Sequence, residues 1–218
     1  MSVEVYIDHF SPPSRAVIAF LVETNIPYVV KEIRLAKQEQ LSKEYLEICP
    51  WGTVPAIVHN NIKIFESHAI MQYLANAFNV KDSWYPKSLS ARSKVDIYLH
   101  WHHSNIRGLL SGYVYNKYIG PRFYGTKYNQ DLNDMLLQAQ IVSLDYLENV
   151  LENGYVAGTQ EISIGDISCY CDFSQMLIVN HDFSKYKNIT RWLNYMKELK
   201  GIKEAHKVFN KLLPKIKI

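Results

Sequence analysis

The spacing of apolar residues changes character once along this 218-residue chain, and that change restricts the fold more than any other feature. Up to about residue 79, period-two and helical signals interleave; from about residue 88 only helical periods remain. Val3, Val5 and Ile7 alternate with Glu4, Tyr6 and Asp8, the mark of a half-buried strand. Ser11-Pro12-Pro13 then opens a helix, because a proline in the first helical turn gives up an N–H that has no partner there anyway. Ala16, Val17, Phe20 and Leu21 carry that helix to about Asn25. Tyr28 through Leu35 reads as a second strand, and Lys43 to Ile48 as a short helix stopped by Pro50. Ala56-Ile57-Val58 and Ile62-Lys63-Ile64-Phe65, joined by Asn60-Asn61, give a hairpin signal, and Ser67 opens a helix to about Phe78.

The order strand-helix-strand, link, strand-strand-helix is the thioredoxin-like layout, here without its Cys-x-x-Cys. The polar, irregular stretch from Lys81 to Ser90 marks a boundary, so the expected architecture is α/β followed by all-α, with domains at 1–79 and 88–218. In the second part Val95, Leu99, His102, Ile106 and Leu109 share one helical face, and Leu132, Leu136, Ala139, Val142 and Leu147 roughly share another. Ser163-Ile164-Gly165-Asp166 is a Ser-x-x-Asp capping pattern, with Ile162 and Ile167 placed as its hydrophobic staple. Trp192, Tyr195, Met196 and Leu199 suggest one more helix, and Ala205, Val208, Phe209 and Leu212 the last.

A net charge of +3 is too mild to argue for a nucleic-acid partner. Lys200, Lys203, Lys207, Lys211, Lys215 and Lys217 crowd the end at helical spacing and read as a solvated face. Three cysteines, Cys49, Cys169 and Cys171, do not make a disulfide framework and fit a reducing compartment. The opening Met-Ser-Val-Glu-Val lacks the features of a signal peptide, and no apolar run reaches the ~18 residues of a membrane span. The expectation is a cytoplasmic protein without a membrane partner. His100, His102 and His103 cluster, and His100 and His103 could share a helix face, but no third ligand stands with that pair at metal spacing, so neither a metal nor a bound cofactor is expected.

Ser11 precedes a helix whose N-terminal end carries partial positive charge, so it suits either a plain helix cap or a site for a developing anion. Glu66-Ser67 admits the same two readings: an ordinary cap beside a solvated acid, or a clamp for a zwitterionic end group. Val54-Pro55 is either a trans turn or a cis bond that presents the Val54 backbone to a peptide-like ligand.

Several ordered patterns together resemble one family. Ser11-Pro12-Pro13-Ser14-Arg15-Ala16-Val17 resembles the opening of theta-class glutathione transferases, and Pro50 through Ala56 resembles their loop before the cis-proline. Phe65-Glu66-Ser67 through Ala69-Ile70 to Tyr73-Leu74, then Trp84-Tyr85-Pro86, Ala91-Arg92 and Val95-Asp96, and Gly158 to Asp166, match in order along nearly the whole chain. The resemblance implies the glutathione transferase fold, with glutathione as co-substrate and small electrophiles as partners. It implies conjugation of the glutathione thiolate, with peroxide reduction as a further activity, and a role in detoxification.

By the same resemblance Ser11 donates to the glutathione sulfur, with Ser14 and Tyr6 as nearby rivals, and Arg15 either supports the site or pairs with an acid. Glu66 and Ser67 hold the γ-glutamyl end, and Val54-Pro55 meets the cysteinyl part. At the glycyl end this chain departs from the pattern, with Gln40 where many members have histidine and Thr53 where many have lysine; Lys43 is the compensating cation. Arg107, Leu110, Ser111 and Tyr115 are candidates for the electrophile wall, or else plain surface and core. The family's C-terminal segment covers that wall, and after Ile218 the pocket is expected to be more open. Members are commonly homodimers, packing the helix after Ser67 against the partner's 91–112 region. The rival functions are a non-catalytic binding or assembly module and a carrier of apolar ligands.

Overall fold

The structure is a computed structural model and describes residues 2–216. Its first part is a four-stranded sheet in the order β2-β1-β3-β4, built from β1 (Val3–Ile7), β2 (Tyr28–Glu32), β3 (Ala56–His59) and β4 (Ile62–Phe65). β1 runs parallel to β2, with Val5 opposite Val30, and antiparallel to β3, with Val5 opposite Ile57. The parallel pair requires a crossover, which α1 (Pro12–Glu23) provides. The β3–β4 turn places Asn60 and Asn61 at φ of 50° and 65°, the left-handed pair that a two-residue hairpin needs. β2 stops at Glu32 rather than reaching Leu35. Arg34 donates from its backbone N and Nε to Glu39, and Leu35–Lys37 becomes a tight 3₁₀ turn tied to Asp8. α2 (Lys43–Leu46) is capped by Ser42, and α3 (Ser67–Ala77) closes this part.

The rest is helical: α4 (Leu89–His102), α5 (Gly112–Val114), α6 (Gly120–Phe123), α7 (Gln130–Val150), α8 (Ile164–Gln175), α9 (Lys187–Met196), α10 (Lys200–Ala205) and α11 (Lys207–Ile216). Two widened, π-helical stretches, His103–Ser111 and Tyr115–Ile119, join α4, α5 and α6 into one bent rod. Their wider turns change which residues face inward. His102, Ile106, Leu110 and Val114 are buried at intervals of four, so Leu110 rather than Leu109 continues the core face. On α7 the expected face is corrected too. Asn133, Leu136, Gln140, Leu144 and Leu147 are buried, whereas Val142 is 74% exposed, because Asn116 satisfies Asn133 inside and allows a polar residue on the core side.

α8 begins with a full capping box. Ser163 Oγ accepts from Gly165 N, and Asp166 accepts from Ser163 N (2.9 Å), Val156 N (3.1 Å) and Trp192 Nε1 (3.1 Å). One continuous apolar core spans both parts and includes Val5, Phe20, Trp84, Leu99, Ile167 and Phe209. α1 lies at its centre. Gly201 of α10 comes so close to Ala19 that an added Cβ would sit 2.2 Å from its carbonyl oxygen, so only glycine fits there. The lysines of α10 and α11 are exposed in part through ion pairs, Lys203 with Glu198 and Lys207 with Glu204; Lys217 lies outside the described residues. Cys49, Cys169 and Cys171 are free and buried. Among the described residues no helix is long and apolar enough to cross a membrane, and no group of acidic, histidine and cysteine side chains could hold a metal ion.

Candidate functional site

The loop between β1 and α1 is held from three directions. Ser11 N donates to Asp8 O, and Asp8 Oδ1 accepts from Phe10 N at 2.8 Å. Asp8 Oδ2 accepts from Leu35 N at 3.0 Å, which ties the loop to the 3₁₀ turn after β2. From behind, Arg15 Nη1 donates to the carbonyls of His9 (3.0 Å) and Phe10 (2.9 Å). Arg15 is fully buried, and its other donors go to Cys171 O, Ser174 Oγ, Gln175 Oε1 and His206 Nε2. No carboxylate forms an ion pair with it among the described residues, so the pairing with an acid is not found. Burial pulls its pKa down to about 10, so it stays charged at neutral pH. The same burial, with Arg15 alongside, pushes His206 down to about 3 and keeps it a neutral acceptor.

Ser11 therefore stands on a rigid loop at the N-terminus of α1. Its Oγ accepts only a long contact from Ser14 N (3.4 Å), and among the described residues nothing accepts its hydroxyl hydrogen. Ser14 is completely buried, and Tyr6 is a strand residue whose hydroxyl donates to Glu4. Val54-Pro55 is cis. Thr53 spends its carbonyl on Tyr45 Oη and turns its hydroxyl toward Cys49 Sγ, 3.7 Å away. Gln40 packs its backbone near Gly52, and its Oε1 is buried without a hydrogen-bond partner. At the start of α3, Ser67 Oγ is likewise buried and unpartnered. Glu66 precedes it at φ 68°, a conformation that a non-glycine residue holds at a cost of order 1–3 kcal/mol and that gathers at ligand sites.

Beside Ser11 lies an apolar cavity of about 450 Å³, walled by Phe10, Pro12, Leu35, Tyr115, Tyr118, Phe123, Tyr124, Ile178, Leu212 and Ile216. Ser111 and Tyr115 are on this wall, as the sequence suggested. Leu110 and Arg107 are not. Leu110 faces the core because of the widened turns, and Arg107 is drawn to Asp172 (3.3 Å) and Ser168 (3.3 Å). Burial alone would raise the Asp172 carboxyl, but Arg107, His102 and the Ser111 hydroxyl at 2.7 Å hold it down to about 2. His68, which stood apart in the sequence, bonds Ser168 (2.7 Å) and packs its ring on His102 and His103. The aromatic wall was missed as a set, although Tyr115, Tyr118, Phe123 and Tyr124 crowd ten residues and offered the signal.

Comparison with known proteins bears on the same regions. Residues 1–76 match the model for the glutathione S-transferase N-terminal domain. The chain is 37% identical to Glutathione S-transferase T1 of Arabidopsis thaliana over 97% of its own length and 91% of that protein. It belongs to the glutathione S-transferase family. It resembles the theta class in particular: mouse Glutathione S-transferase theta-1 is 29% identical over 97% of this chain and 90% of its own. A human theta-class enzyme solved with the glutathione conjugate of 1-menaphthyl sulfate superposes with a TM-score of 0.91. That match has 27% identity and covers 99% of this chain and 90% of the other. The shared fold is thus the glutathione transferase fold, a thioredoxin-like sheet part followed by helices.

Proposed function

We propose that the protein conjugates glutathione to electrophilic small molecules, with Ser11 stabilising the thiolate. The observation that carries this reading is the Ser11 hydroxyl, with an unclaimed hydrogen, on the wall of an apolar cavity at a helix N-terminus. A free thiol has a pKa near ~8.5, and the thiolate is the nucleophile. A hydroxyl donating to sulfur and the N-terminal end of α1 both favour the ionised form. In this reading Ser67 and Glu66 hold the γ-glutamyl carboxylate and ammonium, and the Val54 backbone pairs with the cysteinyl residue. Gln40 and Thr53 meet the glycyl end without a charge. The sulfur then attacks the electrophilic carbon, the C–S bond forms, and the leaving group departs with its electron pair.

Steady-state kinetics with glutathione and 1-chloro-2,4-dinitrobenzene test the role of Ser11. Ser11→Ala is expected to lower kcat/KM by about 10²-fold, the usual loss for one preorganised donor. A loss below threefold would remove Ser11 from the chemistry. We also read the protein as a cytoplasmic homodimer that packs α3 against the partner's 91–112 region. Exposed Leu89 and Ile97 on α4 support such a contact. Light scattering that reports a monomer would contradict it.

A further inference from the structure

We propose that Asp8 makes the cavity selective for uncharged, flat aromatic electrophiles and against anionic ones; as a statement about electrophiles this rests on the transferase reading. Asp8 is the only acidic side chain on the described wall, and no lysine, arginine or histidine lines it. The nearest cations of the site are turned elsewhere: Arg15 onto the carbonyls behind the loop, Arg107 onto Asp172. Asp8 cannot swing away, because its two oxygens hold Phe10 N and Leu35 N and so join two sides of the cavity. An anion entering here would shed its hydration, find no counter-charge and meet a carboxylate.

Of the other polar groups of the wall, the Ser11 hydroxyl belongs to the glutathione sulfur in this reading, and Ser111 and Gln175 have little to offer a ligand. The Ser111 hydroxyl donates to Asp172, and Gln175 Oε1 accepts from Arg15 at 2.8 Å. What remains is ring surface. Tyr115 and Tyr124 stack at 6.0 Å and 29°, and Tyr118 and Phe123 meet edge to face at 6.1 Å. Burial and the Asp8 charge both raise the Tyr124 phenol, so that ring stays neutral. Flat apolar faces with few free donors suit an aromatic body held by stacking.

The test is equilibrium binding of a shape-matched pair, neutral 1-naphthamide and anionic 1-naphthoate, to the intact protein by calorimetry. The amide is expected to bind at least about 10-fold more tightly, a ratio set by one unscreened charge. In Asp8→Asn the ratio should fall to about threefold or less. Ala36→Lys, at an exposed position on the same wall, adds a cation and should narrow the ratio as well, which keeps the test open if Asp8→Asn does not fold. Equal binding in the wild type, no binding of either compound, or an unchanged ratio in the variants would overturn the proposal.

A second arm compares kcat/KM for 1-chloro-2,4-dinitrobenzene and 4-chloro-3,5-dinitrobenzoate, each corrected for the uncatalysed rate. In both, sulfur bonds to the ring carbon and chloride leaves with the electron pair. The neutral compound should be favoured, and Asp8→Asn should reduce that preference; the ratio is taken within one protein, so a general loss of activity cancels. Preference in binding with turnover of neither compound would sink the transferase reading and leave the charge selectivity standing.

Discussion

In the sheet part of the molecule the candidate site residues Ser67 and Gln40 keep a side-chain oxygen unclaimed, whereas in the helical part the polar groups beside the apolar cavity are bonded to neighbours. Ser67 Oγ and Gln40 Oε1 are buried without partners, and the Ser11 hydroxyl has no acceptor. Across the cleft, Ser111 is bound to Asp172, Asp172 also to Arg107, and Gln175 to Arg15. An unsatisfied buried polar group costs roughly 1–3 kcal/mol, so the Ser67 and Gln40 oxygens are a standing cost that a polar ligand would relieve. The cavity wall in the helical part offers a ligand mainly apolar and ring surface.

Two experiments would break or sharpen this contrast. If the polar groups of the helical part are structural, removing one should damage stability before it alters glutathione handling. Asp166→Ala, which orphans the donors of Val156, Ser163 and Trp192, should cost about 4 kcal/mol in urea unfolding. A cost under ~1 kcal/mol would mean that the helical network is not holding its part together.

The second is acidification. Burial pushes His102 down to about 4, and burial with Arg15 pushes His206 to about 3, from an ordinary 6.5. As pH falls below 6.5 the unfolded chain binds these protons and the folded one does not. Their contribution is therefore intact above 6.5, is lost through the window down to the folded values, and levels off below them. Between pH 6.5 and 5 the loss should be about 2 kcal/mol per histidine, seen as a lower urea midpoint. A midpoint that does not move would contradict the burial of these rings in the neutral form.

The contrast also explains what could be read from the sequence. The helix starts after Ser11 and at Ser67 and the turn at Val54-Pro55 were legible because each is a matter of local backbone geometry. The Ser163–Asp166 box was legible for the same reason. The wall of the apolar cavity was only half legible. Of the four residues named for it, Ser111 and Tyr115 line it, whereas in the widened turns of His103–Ser111 Leu110 faces the core and Arg107 is drawn to Asp172. Nor could spacing reveal that Arg15 answers to carbonyls 5 and 6 residues before it and to α8 about 160 residues after it. The α7 face was misassigned because Asn133 and Gln140 are polar, and only their packing shows that they point inward.

The most direct test of the account is the pH titration of thiolate absorbance for glutathione bound to the wild type and to Ser11→Ala. Ionisation in the wild type well below the free thiol's ~8.5, lost in the variant, is the predicted result. Glutathione that binds the wild type without ionising, or that ionises equally in both proteins, would contradict it.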